Sequence, residues 1–123
     1  MKFGIISGSH RLSSNSGKVA KLMKGQLEAR GIEVFCRDLA LEPLPFWNEE
    51  VSQPDSPVYR AWAPLAAEIR SCVAYIVISP EWGGMCPPAL KNFFLFPTAR
   101  QMVHKPALLV TVSTGIGGSY PAH

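Results

Sequence analysis

The chain has 123 residues, of which 47% are hydrophobic and 17% are charged, a composition typical of one globular domain spanning residues 1–123. Its formal net charge of +3 is small, and no aromatic residues interleave with the closest-spaced lysines, Lys18, Lys21 and Lys24, so the sequence predicts no nucleic-acid partner. No apolar run approaches the roughly 18 residues of a membrane span, and the three cysteines form no C-x-x-C pair, so we expect a soluble cytoplasmic protein without a membrane partner, disulfides or a metal site.

The first third of the chain predicts a strand, a helix and a second strand. Phe3 to Ser7 is a short apolar run of the kind found in buried parallel strands. Apolar residues then recur every four positions, at Val19, Met23 and Leu27. Gly31 stands where a left-handed helix cap belongs, and Ile32 to Leu39 alternates as a peripheral strand does.

The middle third predicts an interrupted helix followed by a buried strand. Ser56 and Pro57 resemble an N-cap and a first helical position. Because proline lacks an N–H and clashes with the preceding turn, Pro64 predicts two short helices or a kink between Val58 and Arg70. Val73 to Ser79 is the next apolar run.

The last third predicts another helix and strand. Pro87-Pro88 opens a helix from Ala89 to Phe96 that Pro97 closes, and Ala107 to Ser113 is the fourth apolar run. Such alternation of strands and helices indicates an α/β fold with a doubly wound parallel sheet, in which ligands bind at the carboxyl ends of the strands.

The loop from Gly8 to Ser16 follows the first strand and suits a phosphate group. It offers several hydroxyls, the Arg11 guanidinium and the free N–H groups of the next helix. It is not G-x-G-x-x-G, so a terminal monophosphate fits better than a dinucleotide pyrophosphate. Taken alone, the loop equally allows that Ser14 only caps the helix and that Arg11 lies in water.

Two further loops follow the third and fourth predicted strands. In the second loop, from Ser79 to Pro88, Gly83 and Gly84 permit close backbone approach and Trp82 offers a flat apolar surface, which suits a heteroaromatic ring. The third loop, from Ser113 to Ser119, is again rich in glycine and is expected to form the opposite wall.

These three loops resemble those of the NADPH-dependent FMN reductases of flavodoxin-like fold, and the similarity covers nearly the whole chain. It rests on Gly8-Ser9-x-Arg11-x-x-Ser14, on Pro80-Glu81-Trp82-Gly83-Gly84 with Pro88-Ala89-Leu90-Lys91-Asn92, and on Gly115 to Gly118. Two departures stand out: Ser16 replaces a common asparagine, and Trp82-Gly83 replaces a tyrosine-asparagine pair. The resemblance implies that FMN is bound by residues of all three loops, namely Ser9, Arg11, Ser14, Ser16, Pro80, Glu81, Trp82, Gly83, Gly84, Thr114, Gly115 and Gly118.

The resemblance also implies an oxidoreductase that transfers a hydride from NADPH or NADH through FMN to a small acceptor such as a flavin, quinone, azo dye or metal ion. No catalytic side chain is expected, because the cofactor supplies the reactive atoms and the protein mainly orients them. Backbone donors from Glu81 to Gly84 are expected to stabilise the reduced flavin.

Three other readings share this architecture. A response-regulator receiver requires an acceptor aspartate where Ser79-Pro80 stands, and an electron-carrier flavodoxin is disfavoured by Arg11 and the pI of about 8.9. A non-catalytic or degenerate FMN-binding domain stays open.

Residues outside these loops receive structural interpretations. We expect the three histidines to lie in loops or at the surface, Cys86 to be an inert small hydrophobe, and Asn92 to be structural. The cluster of Phe93, Phe94 and Phe96 is expected to be core.

Residues 118–123 look like the opening of another helix, whereas family members continue through that helix, a fifth strand and a last helix. With the expected strand order 2-1-3-4 and no fifth strand, Ala107 to Ser113 becomes an open apolar edge. We therefore expect a homo-oligomer, a fragment of a longer product, or a chain that borrows an element by swapping.

Overall fold

The computed structural model describes residues 1–98 and 100–123, and it contains a four-stranded parallel sheet. The strands are β1 (Lys2–Ser7), β2 (Glu33–Asp38), β3 (Ala74–Pro80) and β4 (Ala107–Val112). Their order in the sheet is β2-β1-β3-β4, and Ile5 of the central strand lies between Cys36 and Ile76. The predicted strand order is confirmed.

The first helix, α1 (Asn15–Glu28), has a cap at each end. At its start the Ser14 hydroxyl accepts the Gly17 N–H at 2.9 Å. After its end Gly31 has φ +78°, which is the left-handed conformation expected there, and its N–H donates to the Glu28 carbonyl at 2.9 Å. The Gly31 cap was predicted from the sequence, and the Ser14 cap is one of the alternatives that the sequence left open for that residue.

The second helix, α2 (Pro57–Ser71), runs without interruption, so of the two forms predicted, two short helices or a kink, the two short helices are wrong. The Ser56 hydroxyl caps its start by accepting the Tyr59 N–H at 3.0 Å. Pro64 lies on the exposed side of the helix. An internal proline costs a helix about 3 kcal/mol. Burial of five side chains on the opposite side outweighs that cost, since burying a large apolar side chain stabilises the fold by about 1.5–3 kcal/mol. These side chains are Val58, Trp62, Leu65, Ala66 and Ile69.

The third helix, α3 (Pro88–Phe93), is shorter than the predicted Ala89 to Phe96. Its last turn closes with the Phe94 N–H donating to the Leu90 carbonyl at 3.2 Å, and turns follow. Phe93 and Phe96 are buried, but Phe94 is 46% exposed, so only two of the three phenylalanines belong to the core. Two single 3₁₀ turns complete the elements, at Glu49–Ser52 and Tyr120–Ala122.

The core has one layer on each side of the sheet, because side chains alternate between faces along each strand. On the α1 side, Ile5, Ile76 and Ile78 pack with Ala20. On the other side, α2 and α3 cover Ile6 and Val77.

Tyr75 joins three segments beneath α2. Its hydroxyl lies 2.7 Å from the Ile69 carbonyl and 2.9 Å from the Gln101 carbonyl, and it accepts a bond from Lys105 Nζ at 3.3 Å. Burial raises the pKa of Tyr75 to about 12.

The outer strand β4 has no partner on its far side among the residues described. Leu108 and Leu109 are 54% and 55% exposed, although both are large and apolar. The described helices include none long and apolar enough to cross a bilayer.

Candidate functional site

The three predicted loops meet where β1, β3 and β4 end. Backbone hydrogen bonds join them there: the Gly8 N–H donates to the Ile78 carbonyl at 2.9 Å, and the Glu81 N–H donates to the Val112 carbonyl at 2.9 Å. The first loop therefore starts against β3, and the second starts against β4.

Gly8 is required by close packing. A Cβ built there would lie 2.9 Å from Leu90 Cδ2 and 3.1 Å from the Ile78 carbonyl oxygen. Any larger residue would push the first loop away from α3 and the end of β3.

Between the loops lies a cavity of about 110 Å³, which we call the loop cleft. Residues of all three loops and of the end of β4 line it, namely Ser9, Arg11, Ser14, Asn15, Ser16, Pro80, Glu81, Trp82, Val112, Ser113 and Thr114.

The floor of the loop cleft is the N-terminus of α1. Ser9 and Ser14 are buried, and their hydroxyls already accept the N–H groups of Arg11 at 3.1 Å and Gly17 at 2.9 Å. A serine hydroxyl that accepts one bond still has its own proton to donate. No acidic residue stands in the first turn of α1 to offset the positive end of the helix dipole.

Ser16 is the residue of the loop cleft whose hydroxyl is best placed to bond a ligand. It lines the loop cleft and is 1% exposed, yet its Oγ has no hydrogen-bond partner in the part of the chain that the structure describes. A buried hydroxyl without a partner costs about 1–3 kcal/mol. Ser7 Oγ is likewise buried and unpartnered, but Ser7 does not line the cleft.

The second loop turns tightly at its two glycines. The Trp82 N–H donates to the Met85 carbonyl at 2.9 Å, and the Met85 N–H donates back at 3.2 Å. Between them Gly83 and Gly84 have φ of +61° and +79°, the values of a type I′ turn. The glycines are therefore needed for backbone conformation, since a Cβ at Gly83 would meet nothing within 4 Å.

This turn determines which backbone N–H groups of the second loop are already bonded within the protein. The N–H groups of Glu81 and Trp82 are engaged within the protein, so they do not serve as the free donors expected from the sequence. Across the described ranges, the N–H groups of Gly83 and Gly84 make no such bond.

The third loop is closed by Tyr120. A Cβ on Gly117 would lie 2.9 Å from Tyr120 Cδ2 and 3.1 Å from Glu81 Oε1. Tyr120 also approaches Gly84, where a Cβ would be 3.8 Å from the same carbon. The aromatic ring thus connects the second and third loops, a contact that no sequence pattern indicated.

The structure brings together most of the twelve residues proposed for the site. Those lining the loop cleft are Ser9, Arg11, Ser14, Ser16, Pro80, Glu81, Trp82 and Thr114. Those in the same loops but outside its lining are Gly83, Gly84, Gly115 and Gly118. Asn15, Val112 and Ser113 also line the cleft and were not predicted; Asn15 and Ser113 are polar members of the loops already identified.

In the described ranges, no group of three or more His, Cys, Asp or Glu side chains is arranged to hold a metal ion.

Comparison with known proteins supplies the context for this geometry. The model of the NADPH-dependent FMN reductase family matches residues 1–123. The NADPH azoreductase of Bacillus sp. (strain OY1-2) is 31% identical over 122 residues, which cover 99% of this chain and 64% of that protein. The quinone reductase of Pseudomonas putida is 28% identical over 123 residues, covering 97% of this chain and 63% of that protein.

The same fold occurs in FerB, a flavoenzyme NAD(P)H:(acceptor) oxidoreductase of Paracoccus denitrificans. The two structures align with a TM-score of 0.78 and 24% identity over 98% of this chain and 65% of the other. The chain thus spans just under two thirds of the length of the curated relatives it matches.

Proposed function

The chain belongs to the NADPH-dependent FMN reductase family, and on that premise we propose that it binds FMN at the loop cleft and transfers a hydride from NAD(P)H through the flavin to a small acceptor. The single observation that carries this proposal is the buried, unpartnered Ser16 hydroxyl at the N-terminus of α1.

The first loop fits a phosphate group. Ser16 has a free proton to donate, the Ser9 and Ser14 hydroxyls each retain one, and the helix dipole favours an anion. Arg11 is exposed at the rim, where a guanidinium makes charge-assisted bonds to phosphate oxygens. These four residues would hold the phosphate of FMN.

The second and third loops fit the ring end of the cofactor. The Gly83 and Gly84 N–H groups are free to donate to a carbonyl or nitrogen at the edge of a ring. Trp82 and the backbone from Pro80 to Glu81 supply one wall, and Thr114 supplies part of the other. We assign ring contact to these groups, with Gly115 and Gly118 shaping the third loop.

When bound, FMN accepts a hydride and later releases electrons, so the redox chemistry is the cofactor's own. The chain's part is to orient both partners and exclude water, and we assign no catalytic side chain. The names of the azoreductase and the quinone reductase support azo compounds and quinones as acceptors, beside free flavin.

We also propose a homo-oligomer in the cytoplasm. The exposed Leu108 and Leu109 on the edge strand β4 favour pairing with a second copy, because an open apolar edge is a ready template for association. The free cysteines Cys36, Cys72 and Cys86 suit a reducing compartment.

Sedimentation of the full chain at micromolar concentration tests the assembly. A dimer or larger species is expected, and a cooperative monomer that binds no exposed-surface dye would contradict the proposed oligomer.

Anaerobic mixing of the FMN-loaded protein with NADPH or NADH tests the activity. We expect the flavin absorbance at about 450 nm to bleach rapidly and to return when a quinone or azo dye is added. A yellow protein that stays yellow with both donors would instead identify a non-catalytic flavin-binding domain.

A further inference from the structure

His10 belongs to the first loop but contacts the second loop and α3. Its Nε2 accepts the backbone N–H of Ala89 at 2.8 Å, across 79 positions of sequence. Its ring centroid also lies 5.1 Å from that of Trp82, with the planes inclined by 30°.

The bond to Ala89 fills a gap at the start of α3. A helix leaves its first N–H groups without internal partners. In α3 the N-cap residue Pro87 makes no side-chain cap bond, Pro88 has no N–H, and the Leu90 N–H donates to the Pro87 carbonyl at 3.1 Å. The Ala89 N–H is therefore a donor of the first turn that α3 itself leaves without a partner, and His10 supplies the acceptor from another loop.

The contact also determines the state of the imidazole. Because Nε2 accepts a hydrogen bond, it carries no proton, and the neutral ring holds its proton on Nδ1. A neutral ring can pack against Trp82 without an added charge at this position.

Together these contacts restrain the second loop at both ends. Glu81 is bonded to β4 at the beginning of the loop, and the Ala89 bond fixes the end to the first loop. Trp82 lies between these points, against the imidazole.

We propose that His10 is a positioning residue that locks the ring-binding second loop onto the phosphate-binding first loop. This inference rests on the proposed function, since it assigns the two loops to the two ends of one flavin. It predicts that His10 acts on the ring end through Trp82 and α3, unlike Arg11, which acts on the phosphate.

The first test measures the contact without any ligand. In the full chain, His10→Leu should speed exchange of the Ala89 amide proton by roughly 3- to 10-fold, the loss of one ordinary hydrogen bond. His10→Gln should restore slow exchange, because its side-chain oxygen can take the place of Nε2. Leu12→Ala, in the same loop at a side chain that is 75% exposed, is the matched control and should change nothing.

Tryptophan emission provides a second ligand-free readout. His10→Leu should change the emission of the wild-type chain, and the difference should vanish in a Trp82→Phe background, although Trp47 and Trp62 remain. An Ala89 amide and an emission spectrum that His10→Leu leaves unchanged would overturn the proposal.

The flavin test separates positioning from phosphate binding. His10→Leu should weaken the binding of FMN and of riboflavin by the same factor, roughly 3- to 10-fold. His10→Gln should recover most of the lost affinity. Weakening of FMN alone would show that the imidazole serves the phosphate and would overturn the positioning role. If the wild-type chain binds neither flavin, the proposed function fails, whereas the ligand-free readouts still decide whether His10 holds the second loop.

Discussion

Asn92 holds the main chain of Trp47 from across the molecule: its Oδ1 accepts the Trp47 N–H at 2.9 Å. Its Nδ2 donates to the Pro45 carbonyl at 2.9 Å, so the oxygen and the nitrogen of one side-chain amide both bond to the same backbone segment. Phe46, between the two bonds, is 86% exposed. These two hydrogen bonds therefore attach the segment that connects β2 with α2 to helix α3. This attachment supports the structural role assigned to Asn92.

Asn92→Ala should lower the free energy of unfolding by about 1–2 kcal/mol, because two ordinary hydrogen bonds are lost near the surface. Asn92→Asp keeps the acceptor and loses only the donor, so it should cost about half as much. Urea denaturation measures both, with Lys91→Ala as the neighbouring exposed control. Equal stability of Asn92→Ala and the control would mean that the two bonds contribute nothing measurable.

Ser16→Ala should have opposite effects on the free and the FMN-bound protein. Removing a buried unpartnered hydroxyl should stabilise the ligand-free chain by about 1 kcal/mol, while the lost bond to phosphate should weaken FMN roughly tenfold. Ser7→Ala removes the other buried unpartnered hydroxyl, outside the loop cleft, and should stabilise without weakening FMN. Thermal unfolding and flavin titration of both variants test this, and identical FMN affinities would remove Ser16 from the site.

Arg11→Ala should weaken FMN binding by about 1.5 kcal/mol. This is the lower end of the range for hydrogen bonds to charged groups, because the guanidinium is exposed and screened by solvent. Riboflavin, which lacks the phosphate, should be indifferent. Fluorescence titration with the two ligands measures the difference, and equal weakening of both would refute the phosphate assignment.

Gly84→Val should disrupt the Trp82–Met85 turn, because a β-branched residue is strongly disfavoured at φ +79°. Gly84→Asn is the matched variant, since asparagine tolerates this conformation. We expect valine to abolish FMN and riboflavin binding and asparagine to retain most of it, with the far-ultraviolet circular dichroism of both unchanged. A valine variant that is folded and binds flavin normally would exclude this turn from the site.

Tyr75 should make the protein sensitive to alkali. The phenol keeps its proton in the folded chain up to its pKa of about 12, whereas in the unfolded chain it releases the proton near the ordinary tyrosine pKa of 10.0. Stability from this group is therefore complete below pH 10 and decreases as the pH rises to 12, by on the order of 2–3 kcal/mol. Tyr75→Phe should lack this decrease, and parallel stability curves of the two proteins over that range would contradict it.

Strand positions and loop positions were predictable because they depend on local patterns. Three apolar runs and one alternating segment indicated the four strands, and the polar loops after β1, β3 and β4 indicated where the cleft lies. Pro64 misled because its local cost is plain in the sequence, whereas the burial of Trp62 and Leu65 beside it depends on the tertiary fold.

Contacts between distant segments were not predictable for the same reason. The sequence places His10 in the first loop, but only the fold brings it to Ala89 and Trp82. Gly83 and Gly84 were singled out for close backbone approach to a ligand, and the fold adds a second reason for glycine there, a turn that needs positive φ.

The central position of β1 has a consequence for the way the chain acquires its fold during synthesis. β1 is made before both of its neighbours, β2 on one side and β3 on the other, so its second edge stays open until residue 78 has left the ribosome. Pairing of strands so far apart in sequence is slow, and exposed strands invite aggregation. The first loop cannot acquire its neighbours until then, because Gly8 bonds to Ile78 and packs against Leu90. The first loop, to which we assign the phosphate of FMN, therefore completes these contacts only after residue 90 has been made.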